Sequence, residues 1–251
     1  MLNLRSATRK ILENVEETTG KSIQLMQEDD LPVLATLVTA RNGASFHILR
    51  YKATNEPIDY LIAYQAGFLL RLFENPPDNR FDFAPDLKAW EKAKALIIAN
   101  GNPKVDSAML EAFSAHIAQW ALMSLRSVPV GMRVDQWIRR NYPDLHDQQD
   151  ASIALQQQQN VASLAMNLGG MTVPSTLIGT YAAYAMFTDD LTGQNTYAIP
   201  YIASGLGKVG RDLMDHWRKI PESAEHDCDL IDSWAHLLGV KSWYTWSPYQ
   251  P

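Results

Sequence analysis

One cysteine, Cys228, stands in 251 residues. That scarcity excludes an intramolecular disulfide and any cysteine-rich metal knuckle, and it suits a reducing compartment. Long apolar runs are missing as well. No apolar segment follows the basic residues of Met1 to Arg9, so neither a secretory signal nor a membrane span is expected, and the sequence predicts a cytoplasmic protein without a membrane partner. Basic residues are outnumbered, 22 Lys and Arg against 28 Asp and Glu, for a formal net charge of −6. This balance disfavours nucleic acid as the main partner, because counterion release needs Lys and Arg clustered over a whole face. Internal repeats and low-complexity tracts are also lacking, Gln156 to Gln159 being too short to count. No G-x-S-x-G occurs, and Cys228 has only its neighbour His226 as a histidine partner, so nucleophilic catalysis has no visible framework.

Hydrophobic residues are plentiful at 46%, enough for a sizeable core. Leu4 to Thr18 sets Leu4, Ile11, Leu12 and Val15 on one side among charges, which predicts an amphipathic helix closed by Gly20. Strands are expected over Ser22 to Met26, Val33 to Thr39 after Pro32, and Ser45 to Tyr51, antiparallel around the Asn42-Gly43 turn. From Pro57 to about Glu74 the residues Ile58, Leu61, Ile62, Ala66, Leu69, Leu70 and Phe73 leave little polar face, so this helix should be buried. Pro76-Pro77 stops it, and the stretch to Pro85 reads as an irregular loop anchored by Phe81 and Phe83.

The remainder reads as helices over Leu87 to Ala99 (with Asp86 as N-cap), Asp106 to Leu125, Val134 to Arg140, Asp144 to Leu168, Ser175 to Phe187, Tyr201 to Arg218 and Asp229 to Leu238. Breaks are expected at Gly101-Asn102-Pro103, at Pro129 with Gly131, at Tyr142-Pro143 and at Gly169-Gly170. The fold class predicted is α+β: a small N-terminal antiparallel or mixed sheet packed on a buried helix, then a large, mostly helical portion. No linker forces a division, so one domain over residues 1–251 is expected, with an α+β core in 1–80 and a helical extension in 81–251.

The order strand, turn, strand, buried helix carries the most information. In a zincin such a helix bears His-Glu-x-x-His, because residues at i and i+4 face one way and reach one Zn²⁺ while the Glu activates water. The segment Tyr60-Leu61-Ile62-Ala63-Tyr64-Gln65-Ala66-Gly67-Phe68 resembles that of the ImmA/IrrE-type zincin-like metallopeptidases, with Ala63 and Gly67 matching the family's small residues. The resemblance puts Tyr64, Gln65 and Phe68 where the first His, the Glu and the second His belong. Gln158, before an Asn-containing apolar run and Pro174, stands where a later Glu ligand would be. None of these four side chains serves zinc hydrolysis: the phenol titrates near ~10, the amides accept no proton, and a phenyl ring has no lone pair. The resemblance therefore implies a degenerate site without metal or other cofactor.

His47 lies on a strand beside the implied cleft, and His146 with Asp150 forms an i, i+4 pair; together they are the candidate cleft of an alternative enzyme, a metal-dependent hydrolase with a non-standard site. His226, Cys228 and the adjacent acids sit at spacings where neighbours point apart. Gly205-Leu206-Gly207-Lys208-Val209-Gly210 satisfies G-x-G-x-x-G, but a dinucleotide fingerprint needs a preceding strand and a βαβ unit. Arg126, Arg133, Arg139 and Arg140 surround Trp137 with only Asp135 opposing them. Three of the seven tryptophans fall in the last eighteen residues: Trp234, Trp243 and Trp246 either fold back with Tyr244 and Tyr249 or anchor a partner. Arg133, Trp137, Arg139, Arg140, Trp243 and Trp246 are thus the candidate partner surface. The sequence points to a non-catalytic binding or regulatory protein that meets another protein or a second copy of itself.

Overall fold

The computed structural model describes residues 3–31, 33–52, 57–101, 105–168 and 171–250. Pro32, Asn102-Pro103 and Gly169-Gly170, read above as punctuation, lie outside the described residues. The fold is α+β, a small sheet near the N-terminus followed by a mostly helical chain. By internal contacts it divides into two compact units, one formed by residues 1–81, 133–155 and 248–251, the other by 82–132 and 156–247.

In the first unit, α1 (Ser6–Thr19) ends on Gly20, whose φ of 70° lets its N–H bond the Glu16 carbonyl. The strands β1 (Ser22–Gln27), β2 (Ala35–Val38) and β3 (Phe46–Tyr51) form one sheet in the order β1-β3-β2. β2 runs antiparallel to β3, while β1 pairs with it in parallel, Leu25 opposite Leu49. The sheet is therefore mixed. Asn42 and Gly43 both adopt positive φ, 54° and 77°, as a tight primed turn requires. α2 (Ile58–Glu74) packs on α1 and on the sheet. Its core partners include Ile11, Val15, Val134, Ile138 and Leu145, all buried.

In the second unit, β4 (Phe81–Pro85) replaces the expected irregular loop and pairs with the tail strand β7 (Tyr244–Pro248). The reason lies far along the chain. Phe83 stacks on Tyr244 at 4.2 Å and meets Trp246 edge-on at 5.4 Å, a cross-strand aromatic cluster invisible locally. α3 (Ala89–Gly101) follows Asp86, whose carboxylate accepts the Lys88 N–H at 2.8 Å. α4 (Ser107–Asn141), which belongs to the first unit from residue 133 on, is unbroken at Pro129 and Gly131, where a break was expected. Residues Val128, Val130, Met132 and Val134 are all buried, and Trp217 donates its indole N–H to the Pro129 carbonyl at 3.1 Å, so packing outweighs the local cost of proline. α5 (His146–Ala162), whose residues to 155 belong to the first unit, leads to the two-residue strands β5 (Asn167–Leu168) and β6 (Met171–Thr172).

α6 (Ser175–Thr192) packs against α8 (Gly207–Lys219), which with α9 (Asp227–Leu237) buries Leu213, Trp217 and Trp234. The single helix expected over Tyr201 to Arg218 is two, α7 (Ile199–Ala203) and α8, because Gly205 turns the chain at φ 80°. The G-x-G-x-x-G match thus joins two helices. Gly210 serves packing: a Cβ there would meet Met186 at 3.0 Å.

Candidate functional site

α2 carries Tyr60, Tyr64 and Phe68 one turn apart, so their rings share a face. Tyr60 and Tyr64 lie 5.8 Å apart, and Tyr64 meets Phe68 edge-on at 5.2 Å. Both Tyr64 and Phe68 are half-buried against the cluster that holds Val134 and Ile138. Gly67 allows this closeness, since a Cβ there would fall 2.5 Å from Val134 Cγ1. This face of α2 is an aromatic ladder packed under α4. Burial holds the Tyr64 phenol well above its ordinary pKa, and the charge of Asp135 adds to this. A phenolate ligand is correspondingly disfavoured. Gln65 directs its Nε2 to the Ala35 carbonyl of β2, a long contact of 3.5 Å.

Asp135 is the polar centre of this unit and is fully buried. Tyr60 donates its hydroxyl to Oδ1 at 2.6 Å, and Gln149 Nε2 donates to the same oxygen at 3.1 Å and to the Asp135 carbonyl at 2.9 Å. Sealed carboxylates need such donors. In the sequence Asp135 stands out only as the one acid among Arg133, Arg139 and Arg140; the donors that meet it, Tyr60 and Gln149, come from other helices.

His47 is fully buried on β3. Its Nδ1 accepts the Ala40 N–H at 2.9 Å, which leaves the proton on Nε2, 3.2 Å from the Thr19 hydroxyl. Both ring nitrogens are thus engaged, and burial, with Lys21 nearby, lowers the pKa to about 4. Its ring stands edge-on to Phe73 at 5.7 Å. This is a structural histidine with no lone pair to offer a metal.

His146 donates Nε2–H to the Arg139 carbonyl at 2.8 Å, and Asp150 pairs with the Arg139 guanidinium at 2.8 Å. Both secure the end of α4, and neither bonds to His47. Among the described residues no three His, Cys, Asp or Glu side chains gather as a metal site would need. Gln158 is exposed and belongs to the second unit, α2 to the first; its neighbour Gln157 is buried and donates to Thr188 Oγ1 at 2.7 Å.

Two residues of the candidate partner surface are not at the surface. Arg133 and Trp243 are each 3% exposed, Arg133 because it lies on the inner side of α4 and Trp243 because the tail folds back. Trp137 is half-buried with its ring edge-on to Tyr142 at 5.0 Å, whereas Arg140 is exposed. Asp232 on α9 gathers the tail: Lys241 Nζ donates at 2.7 Å, the Tyr244 hydroxyl at 2.5 Å and Trp246 Nε1 at 2.9 Å. Burial raises the carboxyl's pKa, but these three donors outweigh it and hold it below the ordinary value. Cys228 is partly buried, and that burial, with Asp227, Asp232 and Asp229 around it, pushes the thiol up to about 12, so it is no nucleophile.

Among the described residues no helix is long and apolar enough to cross a membrane. No family model, curated protein or solved structure matches this chain.

Proposed function

We propose that this chain is a non-catalytic binding or regulatory protein whose first unit is a degenerate zincin-like scaffold, and that it acts through contact with another protein or a second copy of itself. The order α1-β1-β2-β3-α2, with an antiparallel edge strand beside α2 and Gln65 turned toward it, supports the scaffold reading. The observation that carries the loss of catalysis is the Tyr64–Phe68 ring pair, packed into the core at the two positions where i, i+4 ligands would stand. Partner contact falls to Trp137, Arg139 and Arg140, which are exposed or half-buried at the end of α4. A net charge of −6 makes a protein partner fit better than nucleic acid. A single cysteine, which can form no intramolecular disulfide, is in keeping with cytoplasmic residence.

The test is metal analysis of the purified full chain together with thermal melts in added zinc. Substoichiometric zinc and an unmoved Tm are expected; a tightly held stoichiometric zinc ion overturns the reading. Sedimentation of the same material, with Arg139→Glu and Arg140→Glu as variants, tests the surface if the chain self-associates.

A further inference from the structure

In the second unit, α3 and α4 border an open groove of about 400 Å³. That volume lies in the range of small-molecule sites. Phe83, Trp90, Ala118, Leu122 and Met123 supply its apolar walls, and Arg126 is its only basic residue. Leu122 and Ala118 are buried at its floor, while Met123 is 57% exposed and Trp90 38% at its rim. Large apolar side chains held open to water at a concave site mark a place that gains from being covered.

Charge decides what covers it. Arg126 makes no ion pair, hydrogen bond or ring contact among the described residues. Its guanidinium therefore stands free with five donors suited to a carboxylate. Asp86, which also lines the groove, is already engaged by the Lys88 N–H at 2.8 Å and by Lys92 at 3.5 Å. An incoming cation would compete with Lys92, and a second negative charge would meet Asp86. One anionic group on an apolar body is the combination that fits.

We propose that this groove binds a small apolar monocarboxylate, its body between α3 and α4 and its carboxylate on Arg126. The site lies in the unit that does not carry the zincin-like elements and does not depend on how those are read. A groove of about 400 Å³ with a single free charge favours a small ligand over a protein segment.

Calorimetric titration of the full chain with decanoate, and with decanol as its uncharged counterpart, tests this. Decanoate should bind saturably at one site, and decanol at least about tenfold more weakly, the difference expected for one charge-assisted contact. Arg126→Ala should reduce decanoate affinity by about tenfold or more and leave decanol unchanged, with Arg126→Lys between. Arg126 is exposed and unpaired, so its replacement should leave the melting curve as it is. Ala115→Trp, at another lining position, should abolish binding of both compounds. Decanoate that does not saturate, that binds no better than decanol, or that ignores Arg126→Ala overturns the proposal. So does a chain indifferent to decanoate that binds an acidic amphipathic peptide through Arg126, an outcome that would make the groove a protein-docking surface.

Discussion

Gly67 on α2 leaves no room for a methyl group beside Val134 on α4, where a Cβ would approach Cγ1 to 2.5 Å. Alanine is the better helix former by about 1 kcal/mol, so Gly67→Ala would stabilise an unhindered helix. Here the expected outcome in urea denaturation is a net loss of about 1–2 kcal/mol from overpacking. Val134→Ala in the same chain should recover part of it, since contacting sites are not additive. A Gly67→Ala variant as stable as the parent would contradict the close approach.

Tyr60 and Gln149 both donate to the buried Asp135 carboxylate. Tyr60→Phe removes the 2.6 Å bond and is expected to cost about 2 kcal/mol, the range for a bond to a charged group. Urea denaturation measures it. Tyr64→Phe provides the control, because none of the hydrogen bonds described here uses that hydroxyl.

His47 makes stability depend on pH. Its folded pKa of about 4 lies below the ordinary 6.5, so on acidification the unfolded chain takes up the proton first. Its contribution is complete above pH 6.5 and fades as pH falls toward 4, to a total of about 3 kcal/mol. Denaturation at a series of pH values should show this slope. His47→Asn, whose amide oxygen can still accept the Ala40 N–H, should flatten it.

Asp232 fastens the tail through Lys241, Tyr244 and Trp246. Asp232→Asn is expected to destabilise the chain by about 2 kcal/mol. Faster amide exchange in β7 and a red-shifted Trp emission should accompany the loss. Protection in β7 equal to the parent would show that the aromatic stacking with Phe83 suffices by itself.

Local pattern made some of this fold legible and long-range contact withheld the rest. The Gly20 cap, the Asn42-Gly43 turn and the buried α2 helix follow from residues a few positions apart, and each stands as expected. The parallel pairing of β1 with β3 does not, because the hydrophobic pattern of a strand is indifferent to the direction of its neighbour. Pro129 reads as a breaker because propensity is local, whereas Trp217, which bonds its carbonyl, is 88 residues away. β4 needed Tyr244 and Trp246. At the candidate site the i, i+4 spacing of Tyr64 and Phe68 is plain in the sequence, whereas the ring ladder they build with Tyr60 emerges only in the fold. Asp135 and the engagement of both His47 nitrogens were not, since their partners come from other elements.

The first unit is discontinuous in sequence: the segment that bears Val134, Asp135, Ile138 and Leu145 lies more than fifty residues beyond α2. A gene fragment ending at residue 81 would encode α1, the sheet and α2 but not the lid over Tyr64 and Phe68, and it would leave the Tyr60 hydroxyl without its acceptor. Such a unit cannot be passed between genes as a cassette.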